Sequence, residues 1–158
     1  MESGGGPLVV VPAEVLNLWE GADSDGPESD YDRACAVSGC AGLLAVGPSQ
    51  ALVLGDEPSS TAFLPEYGVF VRWMAAESEA ELMGSVGAAL EAAAWEDRQV
   101  WDVPGPVVLF DSAWPGSDVE PDNHTRVDLP AGRYEVRAAL AHPDADTTFQ
   151  LIQLLPLS

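Results

Sequence analysis

The stretch Arg133-Tyr134-Glu135-Val136-Arg137-Ala138-Ala139-Leu140-Ala141 alternates largely between polar and apolar residues. A period of two places successive side chains on opposite faces of a β-strand. We therefore predict a half-buried strand over 133–141. Its apolar face consists of Tyr134, Val136, Ala138 and Leu140, and its polar face of Arg133, Glu135 and Arg137.

A turn sequence, Leu129-Pro130-Ala131-Gly132, comes directly before this strand. Pro and Gly favour turns, and residues 126–128 upstream are extended in character. We therefore predict that 126–128 and 133–141 form a β-hairpin. A final strand over 147–155 completes a C-terminal third that is rich in β-structure.

The first half of the chain also contains strand signals. Leu8–Val11 is a β-branched run typical of a buried strand, and 70–75 alternates with a period of two. The apolar runs 42–46 and 51–55 flank Gly47-Pro48-Ser49-Gln50, which predicts a second hairpin. A further apolar run at 106–110 leads into a polar loop.

The best helix signal begins at Ser78. Ser78-Glu79-Ala80-Glu81 matches a capping box, and apolar residues recur behind it at helical spacing over 82–93. The fold class that these patterns predict is α+β, with a mostly antiparallel sheet and one main helix over about 78–97. We expect a single domain over 1–158, with a weak internal boundary at Pro104-Gly105-Pro106.

The composition is strongly acidic: 26 Asp and Glu stand against 6 basic residues, all Arg, for a net charge of −20. Nucleic-acid affinity depends mainly on cations that neutralise phosphates, so we expect no direct nucleic-acid binding. An anionic membrane would repel the chain, and no long apolar run occurs, so we expect no membrane association. The N-terminus shows no basic and apolar leader, which indicates a cytoplasmic protein.

An acidic segment occupies residues 20–32. Within it, Asp23-x-Asp25-Gly26 overlays part of an EF-hand calcium loop, but Gly21 stands where the first carboxylate ligand belongs. The other interpretations are a solvated loop and a contact surface for a cationic protein, and both remain open. We expect no metal site here.

No catalytic motif is recognisable in the sequence. The patterns G-x-S-x-G, H-E-x-x-H and the P-loop do not occur. The chain has two histidines, His124 and His142, and neither belongs to a catalytic motif. Cys35 and Cys40 alone cannot complete a zinc site. We therefore expect no enzyme, no catalytic residue, no metal and no cofactor.

One tryptophan differs in its setting from the others. Trp114 lies in the loop that follows the 106–110 run, whereas the other four lie in strand-like or helical stretches that favour a core position. A loop tryptophan flanked by acids is a candidate interface anchor. Packing at the end of a sheet is the alternative. Asp111 is likewise either a contact residue or a cap of the turn that follows it.

Three segments of the sequence resemble a known family. They are Ser29-Asp30-Tyr31-Asp32-Arg33-Ala34-Cys35, then Ala51-Leu52-Val53-Leu54-Gly55-Asp56-Glu57-Pro58 with Thr61-Ala62-Phe63, and Gly105-Pro106-Val107-Val108-Leu109-Phe110-Asp111-Ser112-Ala113-Trp114-Pro115-Gly116. Together they resemble the immunity protein 21 family, whose members are assigned to bacterial polymorphic-toxin systems. The resemblance runs from about Ser3 to the C-terminus.

The resemblance implies a cytoplasmic antidote that binds a cognate protein toxin without catalysis. An acidic surface would complement a basic toxin, for example a nuclease-type domain whose cleft must bind phosphates. Two alternatives remain: a general acidic protein-interaction module or nucleic-acid mimic, and an enzyme or calcium binder. The candidate partner-binding residues are Asp23, Asp25, Glu28, Asp30, Asp32, Asp56, Glu57, Asp111 and Trp114.

Overall fold

A computed structural model describes residues 7–22, 28–37, 41–54, 60–75, 79–118, 124–144 and 147–157. These residues form ten β-strands, two α-helices and two short 3-10 helices. The helices are α1 (Asp30–Cys35), α2 (Glu79–Ala92) and the 3-10 helices Ala13–Leu18 and Gly116–Asp118. The strands are β1 (Leu8–Pro12), β2 (Ala41–Val46), β3 (Ser49–Leu54), β4 (Ser60–Leu64), β5 (Val69–Ala75), β6 (Glu96–Val103), β7 (Val107–Asp111), β8 (His124–Val127), β9 (Gly132–Asp144) and β10 (Thr147–Leu157).

The strands form two five-stranded sheets in which every pair is antiparallel. Sheet I has the order β2-β3-β1-β7-β8, and sheet II has the order β4-β5-β10-β9-β6. The predicted antiparallel character is therefore confirmed. The described chain is richer in β-structure than the α+β prediction implied, because both halves of the sequence contribute strands to the sheets.

The two sheets pack face to face around an inner core. That core combines Leu8, Val10 and Leu109 of sheet I with residues such as Phe70 and Ile152 of sheet II. The side chain of Gln99 also donates to the Ala41 carbonyl at 3.0 Å, and Trp101 Nε1 to the Gln50 carbonyl at 2.9 Å. Strand β6 of sheet II therefore lies against β2 and β3 of sheet I.

A further layer covers part of each outer face. Val9 and Val11 point away from the inner core and pack with Trp19 and with Ala34 of α1. On sheet II, Val86 of α2 packs against a cluster that includes β5 and β10 residues. Strand β1 is thus buried on both faces, which explains why its sequence is a continuous apolar run rather than an alternating one.

The hairpin predicted over 42–55 is confirmed. Val46 pairs with Ser49 across a turn at Gly47-Pro48, so β3 begins two residues earlier than its apolar run suggested. Gly47 has a φ of +57°, a left-handed backbone that glycine adopts without the steric cost of a Cβ. The strands predicted at 8–11, 70–75 and 147–155 are also present, as β1, β5 and β10.

The hairpin predicted between 126–128 and 133–141 is wrong. Strand β8 pairs with β7 in sheet I, whereas β9 pairs with β6 and β10 in sheet II. The Leu129-Pro130-Ala131-Gly132 segment therefore carries the chain from one sheet to the other. Val127 and Leu129 are both buried in the inner core, and this burial favours the crossing over a local turn.

The helix predicted over 78–97 is too long at its C-terminal end, and its predicted cap at Ser78 lies outside the described residues. Helix α2 ends at Ala92, and Glu96 already belongs to β6. Ala93 and Ala94 have high helix propensity, so the local sequence does not mark the end. The chain instead pairs with β9 from Glu96 onwards, and Trp101 of this strand lies fully inside the inner core.

The acidic segment predicted as a loop over 20–32 is partly helical. Asp30 and Asp32 lie in the first turn of α1, whose N-cap is Ser29. A carboxylate in the first turn interacts favourably with the helix dipole, so acidic residues here favour a helix start. The described chain therefore has a short second α-helix beside the main one.

We predict that Leu109→Ala destabilises the protein by about 2–5 kcal/mol, because it leaves a cavity between the sheets. The matched control is Leu157→Ala, since Leu157 is 43% exposed whereas Leu109 is 0% exposed. Urea unfolding measures the free energy of each variant. Equal losses for the two substitutions would show that the inner core is misplaced.

Candidate functional site

The loop after β7 presents Trp114 to solvent. Its side chain is 50% exposed, and the other exposed aromatic residue in the described part of the chain, Tyr67, is 42% exposed. Asp111, 6% exposed, accepts a hydrogen bond from the Ala113 amide through Oδ1 at 3.0 Å. The Trp114 amide donates to the Asp111 carbonyl at 3.0 Å. Asp111 therefore caps the turn, as one of the two sequence interpretations held.

Trp19 holds the same loop from the other side. It is almost fully buried, and its Nε1 donates to the Ser112 carbonyl at 3.0 Å. Its own carbonyl accepts from the Gly116 amide at 2.7 Å. The loop that carries Trp114 is thus bonded at both ends to one buried indole residue, so its conformation is fixed before any partner binds.

Gly21 allows the chain to pass close to this loop. It has a φ of +63°, and a Cβ placed there would lie 2.6 Å from the Trp114 carbonyl carbon. A side chain at this position would meet backbone that cannot move cheaply. The next amide, of Ala22, donates to the Ala113 carbonyl at 3.1 Å. Residues 20–22 are therefore packed directly against the Trp114 loop.

Helix α1 begins beside this contact. The Ser29 hydroxyl accepts from the Asp32 amide at 3.0 Å, and the Asp32 carboxylate accepts from the Ser29 amide at 3.1 Å. This reciprocal pair is a capping box. The Tyr31 amide donates to the Gly21 carbonyl at 3.1 Å, so the first turn of α1 is bonded to the segment that touches Trp114.

Arg33 ties the helix to sheet I. Its Nη1 bonds to Asp30 Oδ1 at 2.7 Å, and its Nη2 donates to the Ala45 carbonyl at 2.6 Å. The other oxygen of Asp30 accepts from the Glu20 amide at 2.9 Å. Asp30 therefore has a structural position, with its charge offset by a guanidinium.

Hydrogen bonds join these segments to one another, and we call their solvent-facing residues the Trp114 surface. Its members are Glu20, Glu28, Tyr31, Asp32 and Trp114. The three carboxylate side chains are exposed, and Tyr31 is half-buried. A hydrogen bond with the Cys35 side chain raises the pKa of Tyr31 above its ordinary value, and the negative charges nearby add to the rise.

The structure brings five of the nine predicted contact residues into this region: Glu28, Asp30, Asp32, Asp111 and Trp114. Three of these five are bonded within the fold, and Glu28 and Trp114 are exposed. Asp23, Asp25, Asp56 and Glu57 lie outside the described residues, as does the Asp23-x-Asp25-Gly26 calcium motif. Sequence reasoning missed Glu20 and Tyr31. The Ser29-x-x-Asp32 capping pattern could have located the helix that presents Tyr31.

The described ranges contain no group of three His, Cys, Asp or Glu side chains arranged to bind a metal. Cys35 is exposed and has a free thiol, and Cys40 lies outside the described residues. Among the described helices, none has the length and apolar character needed to cross a membrane. The Trp114 surface offers exposed aromatic area and carboxylates, which are groups suited to contact with another molecule.

The fold and this surface together define a two-sheet β-protein with an exposed tryptophan beside carboxylates. A protein-family model described as immunity protein 21 matches residues 1–147, and the chain belongs to this family. The resemblance stated from the sequence segments is thereby confirmed. No curated protein gives a significant match to the chain. No solved structure gives one either.

We predict that Ser29→Ala lowers the free energy of unfolding by about 0.5–2 kcal/mol, because it removes the N-cap acceptor of α1. Ser117→Ala, at an exposed serine, is the matched control and should change the free energy by less than about 0.5 kcal/mol. Both values come from urea unfolding. A Ser29→Ala variant as stable as its control would mean that the capping box contributes nothing.

Proposed function

We propose that this protein is a non-catalytic immunity protein that neutralises a cognate toxin by binding it through the Trp114 surface. The observation that carries the proposal is a tryptophan that is 50% exposed on a loop fixed by buried hydrogen bonds. Tryptophan is enriched among residues that dominate binding energy. A preformed loop loses little conformational entropy on binding, and this favours high affinity.

Charge supports the choice of a basic partner. The chain has a net charge of −20, and the Trp114 surface carries the carboxylates of Glu20, Glu28 and Asp32. Charge of one sign attracts a partner of the opposite sign and raises the association rate above that of neutral pairs. A nuclease-type toxin fits best, since its cleft must be cationic to bind phosphates.

Inhibition by this route needs no chemistry from the immunity protein. The tryptophan would occupy an apolar depression on the toxin, and the carboxylates around it would bind cations at the rim of the toxin's cleft. The toxin's own substrate is then excluded by steric and electrostatic competition. We place this encounter in the cytoplasm, where an antidote protects the cell that makes it.

Co-expression tests the function itself. The C-terminal domain encoded by the adjacent large open reading frame is expressed alone and together with this protein, and surviving colonies are counted. We expect killing by the toxin domain and rescue by this chain. Killing without rescue would remove that domain as the target and would favour a general acidic interaction module instead.

We predict that Trp114→Ala weakens toxin binding by roughly 30-fold or more, the equivalent of about 2 kcal/mol. Tyr67→Ala is the aromatic control, because Tyr67 is 42% exposed in the turn between β4 and β5 of the other sheet. Titration calorimetry gives both affinities, and thermal unfolding verifies that each variant is folded. A loss confined to the Tyr67 variant would place the contact on sheet II.

We predict that the double variant Glu20→Lys/Glu28→Lys slows association with the toxin by about tenfold or more at low salt, since it reverses charges beside Trp114. Glu66→Lys/Glu91→Lys is the matched control: it changes the net charge equally, at exposed positions of sheet II's turn and helix α2. Stopped-flow fluorescence measures both rates. Equal slowing would show that only total charge matters, as expected for a general acidic module.

A further inference from the structure

Helix α2 covers only one half of the outer face of sheet II. Its Val86 packs with Val71, Phe149 and Leu151, which lie towards one end of β5 and β10. Towards the other end of the sheet, the strands β6, β9 and β10 continue past this cluster. No described element covers them there, and Val100 and Leu157 are 51% and 43% exposed.

This uncovered region, which we call the β6–β9–β10 face, has a regular arrangement. One cross-strand row consists of Asp102, Arg133 and Leu157, which are paired in register. The next row consists of Val100, Glu135 and Leu155. The charged residues Arg133 and Glu135 of β9 thus lie between apolar residues of β10 on one side and Val100 and Asp102 of β6 on the other.

The charges on this face differ from those of the rest of the molecule. Arg133 pairs with Asp102 at 2.9 Å, and Arg98 with Glu135 at 3.6 Å. Arg137, next along β9, stacks on the Trp95 ring with its guanidinium carbon 4.1 Å from the centroid. Among the side chains of this face that the structure describes, three arginines and two acids give a local charge of +1, in a chain that has only 6 arginines and a net charge of −20.

We propose that the β6–β9–β10 face is the contact through which two copies of this chain associate. Two molecules of charge −20 repel each other over most of their surfaces. Salt at physiological strength screens charges that are more than about 8 Å apart, so the residues within the contact decide whether close approach is favourable. This face carries charges of both signs beside the exposed apolar residues Val100 and Leu157. Each copy can therefore present its arginines to the acids of the other copy.

The proposal does not depend on the toxin-binding function. A basic toxin fits the Trp114 surface on sheet I, and it does not fit a face with a local positive charge. The two contacts also respond to salt in opposite ways. Added salt weakens attraction between an acidic protein and a basic one, whereas it relieves the repulsion between two acidic copies.

The size of the face sets the strength of the contact. Three strands about 4.8 Å apart and three rows of side chains, the third being Arg137 paired with Gln153, span roughly 300 Å². A stable dimer buries about 800 Å² per partner, so this contact is weak. A cleft of about 720 Å³ borders the face at Asp102 and Arg133, is lined on its other side by Pro48 in the β2–β3 turn of sheet I, and adds room for side chains from the second copy.

Sedimentation equilibrium of the purified protein tests the proposal at protein concentrations up to about 1 mM, the range in which small contacts associate. The variant is Val100→Glu/Leu157→Glu, and the matched control is Leu18→Glu/Leu140→Glu. The control adds the same charge at two apolar residues that are 47% and 51% exposed elsewhere. Circular dichroism verifies that all three proteins are folded.

We expect a monomer–dimer equilibrium whose association constant rises between about 0.05 and 0.5 M salt. The association constant should fall at least about tenfold in the face variant and change less than about twofold in the control. A wild-type chain that stays monomeric at every salt concentration overturns the proposal. Equal weakening in variant and control overturns it as well, because general charge then explains the effect. Loss of toxin affinity in the face variant, with self-association unchanged, would assign the face to the toxin instead.

Discussion

Burial of strand β1 on both faces is the constraint on which the rest of the structure depends. Leu8 and Val10 face the inner core between the sheets, while Val9 and Val11 face outwards. An apolar side chain left in water forfeits about 1.5–3 kcal/mol of burial free energy, so the outward pair must be covered. The 3-10 helix after β1, Trp19 and α1 supply that cover.

The same covering layer positions the Trp114 surface. Trp19 fills the outer cluster of sheet I and also bonds the loop that carries Trp114. Gly21 then lets α1 start within bonding distance of that loop. The packing of β1 and the position of the Trp114 loop are therefore coupled, because Trp19 covers β1 and also bonds to the backbone of that loop. The Trp114 surface lies on the side of sheet I, and the β6–β9–β10 face lies on sheet II.

The sequence predicts best where the pattern is local. A continuous apolar run located β1, and the Gly47-Pro48 turn located its hairpin. The pairing of β8 could not be predicted, because the local sequence does not show which sheet this strand joins. It joins sheet I, and the burial of Leu129 in the inner core favours that arrangement. The end of α2 could not be predicted for a similar reason. The strand β6 that follows it pairs with β9 and bonds through Trp101 to Gln50, and both partners are distant in the sequence.

The candidate site was predictable in part. Trp114 was found because an aromatic residue in a polar loop is unusual. Asp30, Asp32 and Asp111 are candidates because of their charge, which does not show whether a carboxylate is bonded within the fold.

Amide hydrogen exchange of the free and toxin-bound protein tests directly whether the toxin binds at the Trp114 surface. We expect protection on binding at 20–22, 28–35 and 112–116. Protection at 96–103 and 132–137, with those three segments unchanged, would contradict it.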